Sequence, residues 1–169
     1  MATYDSNTNS DGMQDKLVSL RRTSKAVTGG TIFGFSAATV VGNGKGKIGF
    51  ANGKSKEVPV AIQKAIEFAK KNMVYIPLNG NTIHHEITFS FGASTVYMRP
   101  APEGTGIIAG GAMRAVFEVL GIKNVLAKCI GSSSPINVAI ATIKGLSSMT
   151  TRDYVESKRG ISLGKPSKD

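Results

Sequence analysis

Two stretches of this chain carry the glycine spacing that can cradle a dinucleotide. Gly44, Gly46 and Gly49 hold it in GKGKIG, and Gly104, Gly106 and Ala109 hold it in GTGIIA. In a dinucleotide site the glycines follow a buried strand and open a helix, and an acid about 20 residues on takes the ribose. Neither stretch has that context. The Gly44 set turns a hairpin and runs into another strand. Before Gly104 the strand ends at Arg99, Pro100 and Pro102 intervene, and the ribose position falls on Asn124. GFANGKS, from Gly49 to Ser55, imitates a phosphate-binding loop. It has only Phe50, Ala51 and Asn52 between its glycines, and Ile48 stands where that loop needs glycine. No nucleotide cofactor is expected.

Other reactive residues are few. His84 and His85 are adjacent, so on a strand they point to opposite faces and cannot chelate one ion. One is expected in the core and one in solvent. Cys129 is the single cysteine, so no internal disulfide can form. Within NVLAKCIG it reads as a small core residue, and the scattered methionines read as core filler. No local signature supports a Cys–His nucleophile pair. The expectation is no catalytic residue, no metal and no cofactor.

The elements that must position these residues follow from periodicity. KLVSLRR, Lys16–Arg22, alternates as a half-buried strand does. TSKAVTGG reads as a loop. TIFGFSAATVVG is a β-branched strand with Phe33, Phe35, Ala37, Thr39 and Val41 on one face. Asn43-Gly44 turns the chain into a third strand, KIGFANG. Then Val58, Ala61, Ile62, Ala65, Ile66 and Ala69 mark one helix face, with Pro59 in the first turn. After PLNGNT, IHHEITFSFG and STVYMRP read as strands. A helix follows with Met113, Val116, Phe117 and Leu120 inward, and Gly121 stops it. NVLAKCIG is a strand. SSSPINVAIATIKGL is a helix capped by Ser134, with Ile136, Ala139, Ile140 and Ile143 inward. Thr151–Arg159 reads as a short polar helix before a basic tail.

Charge narrows the partner. The 169-residue chain carries 21 Lys+Arg against 11 Asp+Glu, a net +10. An excess of this size favours nucleic acid or an anionic membrane. No apolar run reaches the ~20 residues of a membrane span. The excess is concentrated: residues 1–15 carry −3 and residues 16–71 carry +9. The basic residues Arg21, Arg22, Lys25, Lys45, Lys47, Lys54, Lys56, Lys64, Lys70 and Lys71 are therefore the candidate contacts to nucleic acid. Lys54 and Lys56 crowd a helix start, where an anion would offset them. Residues 1–15 are acidic and polar and read as a disordered tail, neither secretory signal nor targeting peptide.

An antiparallel sheet backed by a helix is the plan of the double-stranded-RNA-binding fold, which reads RNA through phosphates and 2′-hydroxyls. At RRTSKAVTGGTIFGFSAATVVGNGKGKIGFANGKSKEVPVAIQKAIEFAKKNM the chain resembles the first half of the bacterial-type ribosomal small-subunit protein five family. PAPEGTGIIAGGAMRAVFEVLGIKNVLAKCIGSSSPINVAIATIKGL resembles the second half. The resemblance implies an α+β protein. A double-stranded-RNA-binding-like domain would span residues 16–78. An α/β domain with a left-handed βαβ crossover would span 79–150, and a short helix and tail 151–169.

It further implies a non-enzymatic component of the small ribosomal subunit, in the cytoplasm or an organelle. The implied partners are small-subunit ribosomal RNA, small-subunit proteins four and eight, and messenger RNA where it enters. The implied roles are assembly and decoding accuracy; the first domain's loop would lie near the spectinomycin pocket. Carried over by position, the RNA-facing loop falls on Arg22, Ser24, Lys25, Gly29 and Gly30. Thr28, Thr31, Thr95 and Ile140 stand where the family commonly has a basic residue. The surface toward protein four falls on Gly104, Thr105, Gly106, Gly110, Gly111 and Arg114. The alternatives are a free-standing RNA-binding or chaperone module and, more distantly, a nucleotide enzyme.

Overall fold

The computed structural model describes residues 12–161. Its fold is α+β, with two four-stranded sheets. The first sheet joins β1 (Gln14–Val27), β2 (Gly30–Gly42), β3 (Lys47–Ser55) and β4 (Met73–Tyr75) in sequence order, all antiparallel. Helix α1 (Val58–Lys71) crosses one face of this sheet and buries Ala61, Ile62, Ala65 and Ala69. Small residues set how closely it lies. A Cβ on Gly49 would run into the Ala69 carbonyl oxygen, and one on Gly53 into that of Ala61.

The second sheet has the order β5 (Ile87–Phe91), β6 (Ser94–Pro100), β8 (Val125–Gly131), β7 (Ile107–Ile108). Strands β7 and β8 are parallel, so β7, α2 (Gly111–Leu120) and β8 form a βαβ unit. Helix α3 (Pro135–Ser147) packs beside α2 under the sheet, and α4 (Arg152–Arg159) follows. Gly121 ends α2 at φ 93°, in the left-handed region that suits glycine. The larger apolar core joins both sheets: Val40, Ile48 and Ile76 from the first meet Met113, Phe117 and Leu120 of α2.

The β2–β3 turn fastens the halves together. Its Gly44 and Gly46 N–H groups donate to the Val119 and Leu120 carbonyls at 3.1 and 3.3 Å. These are among the last carbonyls of α2, which lack partners within the helix. A Cβ on Gly121 would collide with the Gly44 carbonyl. Lys16 of β1 and Glu118 of α2 add an ion pair across the junction.

Several local expectations change. Strand β1 starts at Gln14, so Asp15 lies in the sheet and is buried; residues 1–11 of the expected tail lie outside the described residues. TSKAVTGG is not a loop. β1 runs on to Val27, and only Thr28 and Gly29 turn the chain into β2, with Gly29 at φ 95°. His84 and His85 precede β5 in a bend and are both half-buried. Ser134 makes no side-chain cap. The buried face of α3 is Val138, Ala139, Ala141, Thr142, Gly145 and Leu146, so Ile136 and Ile140 are rotated partly outward. Two short strands, β4 and β7, have too few residues to show a period.

Candidate nucleic-acid interface

The first sheet is covered unevenly. Alternation puts Arg21, Thr23 and Lys25 of β1 on one face with Ser36 and Ile32 of β2 and Lys54 of β3. The register lines up Arg21, Ser36 and Lys54 across three strands. Helix α1 covers the opposite face. Near the β2–β3 turn this face meets α2 through Val40 and Ile48. Toward the β1–β2 turn it is open, and its side chains are polar and basic.

Pairing of β2 with β3 ends at Phe35–Ser55, whereas β1 and β2 stay paired to Val27–Gly30. Residues 23–34 therefore extend as a two-stranded arm beyond the third strand. Where β3 leaves the arm to enter α1, a groove of about 380 Å³ opens, lined by Ser24, Lys25, Ile32, Phe33, Lys54 and Lys56 among others. Three ammonium groups converge here, and no acid lines the groove. The first turn of α1 also holds no acid, and Glu57 makes no side-chain cap. Arg22 projects from the arm's other face, its guanidinium 3.9 Å from the centroid of the Phe33 ring.

The remaining basic candidates do not join this group. Lys47 lies seven residues along β3 from Lys54, roughly 23 Å away at strand rise. Lys45 and Lys47 flank the β2–β3 turn, where Asn43 Oδ1 accepts from both their backbone N–H groups at 2.9 and 3.0 Å. Lys64 sits on the exposed face of α1. Lys70 and Lys71 end that helix and favour its dipole. Burial raises the Asp15 carboxyl above its ordinary pKa, against the pull of Lys70. Gly29 and Gly30 form the arm's tip, at φ 95° and 154°. Thr28 and Thr31 flank them and bring no charge. Thr95 is held by Ser90 at 2.8 Å, far from the arm, on the second sheet.

The stretch from Gly104 to Arg114 forms a separate surface. Gly104 and Gly106 adopt φ 89° and 75° with open space around their Cα atoms. Thr105 Oγ1 donates to the Pro102 carbonyl at 2.9 Å. Gly110 precedes α2 as an uncapped N-cap and Gly111 is its first residue. Sequence spacing pairs Arg114 with Glu118, four residues on. The structure instead gives Glu118 to Lys16, and the Arg114 guanidinium donates to the Ile107 carbonyl at 2.9 Å. Both line a second groove of about 580 Å³ with Ile107, Gly121, Ile122 and Lys123.

Three contributors escape a reading by charge. Asn124, in the would-be ribose position, is a clamp: its Oδ1 accepts from Gly106 N–H at 3.1 Å, and it is buried. Phe33 is half exposed beside the lysines, although its strand pattern placed it with core residues. Lys16 counts as surface charge in the sequence yet ties two elements. Only pairing of the elements shows these roles.

Among the described residues, no group of three or more His, Cys, Asp or Glu gathers to hold a metal. His85 Nδ1 contacts the Glu86 carbonyl at 2.8 Å, and its Nε2 meets Thr150 N–H at 3.3 Å. Cys129 donates to the Ser132 carbonyl at 3.4 Å. No helix among the described residues is long and apolar enough to cross a membrane.

Comparison with known proteins assigns both halves. Residues 13–77 match the family described as ribosomal protein S5, N-terminal domain, and residues 89–159 match ribosomal protein S5, C-terminal domain. A relative from Legionella pneumophila (strain Corby), named small ribosomal subunit protein uS5, is 63% identical over 158 residues, covering 94% of each chain. Its namesake from Nitrosococcus oceani is 60% identical over 163 residues, 96% of each. That from Coxiella burnetii is 61% identical over 156 residues, 92% of this chain and 93% of the relative.

Proposed function

This chain belongs to the ribosomal protein S5 family, structural and non-enzymatic components of the small ribosomal subunit, and on that premise we propose that it holds ribosomal RNA through the β1–β2 arm. The supporting observation is the convergence of Lys25, Lys54 and Lys56 from three segments on one acid-free groove. Phosphate neutralisation by lysine and arginine is the main sequence-independent source of RNA affinity. Arg21, Arg22 and Ser24 extend the contact along the arm, and Gly29 and Gly30 let its tip approach a backbone closely. Lys45, Lys47, Lys64, Lys70 and Lys71 form a second, more dispersed set of contacts.

Residues 16–78 are the RNA-holding part and residues 79–150 the protein-facing part. Small-subunit protein four docks on Gly104, Thr105, Gly106, Gly110, Gly111 and Arg114, where open glycines leave the backbone accessible. Protein eight is a second neighbour, and messenger RNA passes near where it enters the subunit. By bridging RNA and protein the chain supports assembly and decoding accuracy. The relatives named above are all small-subunit proteins, which gives a free-standing chaperone no support.

The test is cosedimentation with small subunits in rising salt. The wild-type chain stays bound at high salt. A chain with Lys25, Lys54 and Lys56 each replaced by glutamine is released at lower salt. Equal retention of the two would remove the arm groove from the binding surface.

A further inference from the structure

The arm groove is more than a row of charges. Its lysines stand beside apolar surface that is exposed: Ile32 is 51% and Phe33 49% accessible. Duplex RNA presents phosphates and 2′-hydroxyls to a protein and keeps its base faces stacked inside. Docked here, it would satisfy the lysines and leave the aromatic and aliphatic surface without a partner. An unpaired nucleotide satisfies both, because it brings a phosphate and a free π-face together.

We propose that this groove binds one unpaired nucleotide of the ribosomal RNA, with its base stacked on Phe33 and its phosphate held by Lys25, Lys54 and Lys56. The inference rests on the proposed RNA-binding reading and gives it a ligand class. Four features support it. The groove's volume of about 380 Å³ falls within the ~300–1,000 Å³ of small-ligand sites. The Arg22 guanidinium over Phe33 holds the ring in one orientation, so less side-chain freedom is lost on stacking. Gly34 keeps the floor low: a Cβ there would press on the Ser55 carbonyl at 3.3 Å and the Thr23 hydroxyl at 3.4 Å. Residues 31–34 of β2 have no partner in β3, so their backbone edge is free to meet the polar edge of a base. The dispersed lysines at the far end of the sheet lack this combination. The β2–β3 turn beside them is already engaged with α2.

The experiment uses the full chain and two probes. One is a single-stranded RNA decamer carrying a central 2-aminopurine, whose fluorescence is quenched by stacking. The other is the same strand in a blunt duplex. Phe33→Leu keeps apolar bulk and removes the ring; Phe33→Tyr restores it. The expected result is about tenfold weaker single-strand binding by Phe33→Leu, as for loss of one base–aromatic stack. Quenching is lost, the salt dependence is unchanged, duplex binding is unchanged, and Phe33→Tyr rescues. Thermal melting of each variant separates this from misfolding. If Phe33→Leu binds and quenches like wild type, or weakens both probes equally, the stacking proposal is wrong. If replacing Lys25, Lys54 and Lys56 by glutamine also leaves both probes bound as before, the RNA-binding reading itself fails. Loss of binding with the lysines but not with Phe33 sinks only the nucleotide pocket.

Discussion

The two glycine motifs of this chain look alike in sequence and do opposite things. In GKGKIG the glycines are packed. Gly46 has no room for a Cβ, which would lie 2.7 Å from the Ile76 carbonyl, and Gly49 is pressed against the backbone of α1. Gly44 lends its N–H to the end of α2. In GTGIIA the glycines are open. A Cβ on Gly104 or Gly106 would meet nothing within 4 Å, and only their positive φ requires glycine. The first motif is internal masonry that joins two sheets. The second is a surface. Composition and spacing cannot separate these cases, because the difference lies in what approaches from elsewhere in the chain.

The sharpest break between the motifs is steric. Gly49→Ala forces α1 off the sheet, with an expected loss of about 3 kcal/mol, at the upper end for overpacking. Urea unfolding of the free chain measures it, and a loss below about 1 kcal/mol would mean that α1 shifts at little cost. Gly104→Ala should cost only about 1 kcal/mol, the strain of a left-handed alanine without a clash. Its larger consequence is expected in binding to protein four. Equal destabilisation by the two substitutions would erase the distinction between packed and open glycines.

Arg114→Leu is smaller still for folding. Its hydrogen bond to the Ile107 carbonyl is exposed and contributes at most about 1 kcal/mol. The melting temperature of the free chain should hardly move. If protein four docks on this surface, the same change loosens that docking and alters misreading by ribosomes carrying it. A large drop in melting temperature with normal accuracy would make Arg114 a structural residue instead.

Much of the fold is legible in the sequence because its periods are clean. The helical stripe from Val58 to Ala69 has Ala61, Ile62, Ala65 and Ala69 buried, as spacing predicts. Met113, Val116, Phe117 and Leu120 are likewise buried, and Gly121 stops their helix. The misses have physical causes. The polar run from Thr23 to Val27 reads as loop because neither face of the arm is buried, so no alternation marks it. α3 is apolar nearly all round, so its inward face depends on what packs against it. The candidate site is half legible: charge finds the lysines, but not which of them meet. Lys25, Lys54 and Lys56 are brought together only by a hairpin that outruns its third strand. Phe33 gains its place beside them by the same extension.

The central claim is that this groove grips RNA by charge, and the salt dependence of binding tests it most directly. The full chain is titrated with small-subunit ribosomal RNA over a range of salt, beside the variant with Lys25, Lys54 and Lys56 replaced by glutamine. Removing one lysine–phosphate pair should reduce the log–log slope by about 0.7–0.9. The predicted result is a slope shallower by roughly 2 to 3 in the variant, with an unchanged melting temperature. An identical slope for the two proteins would contradict it.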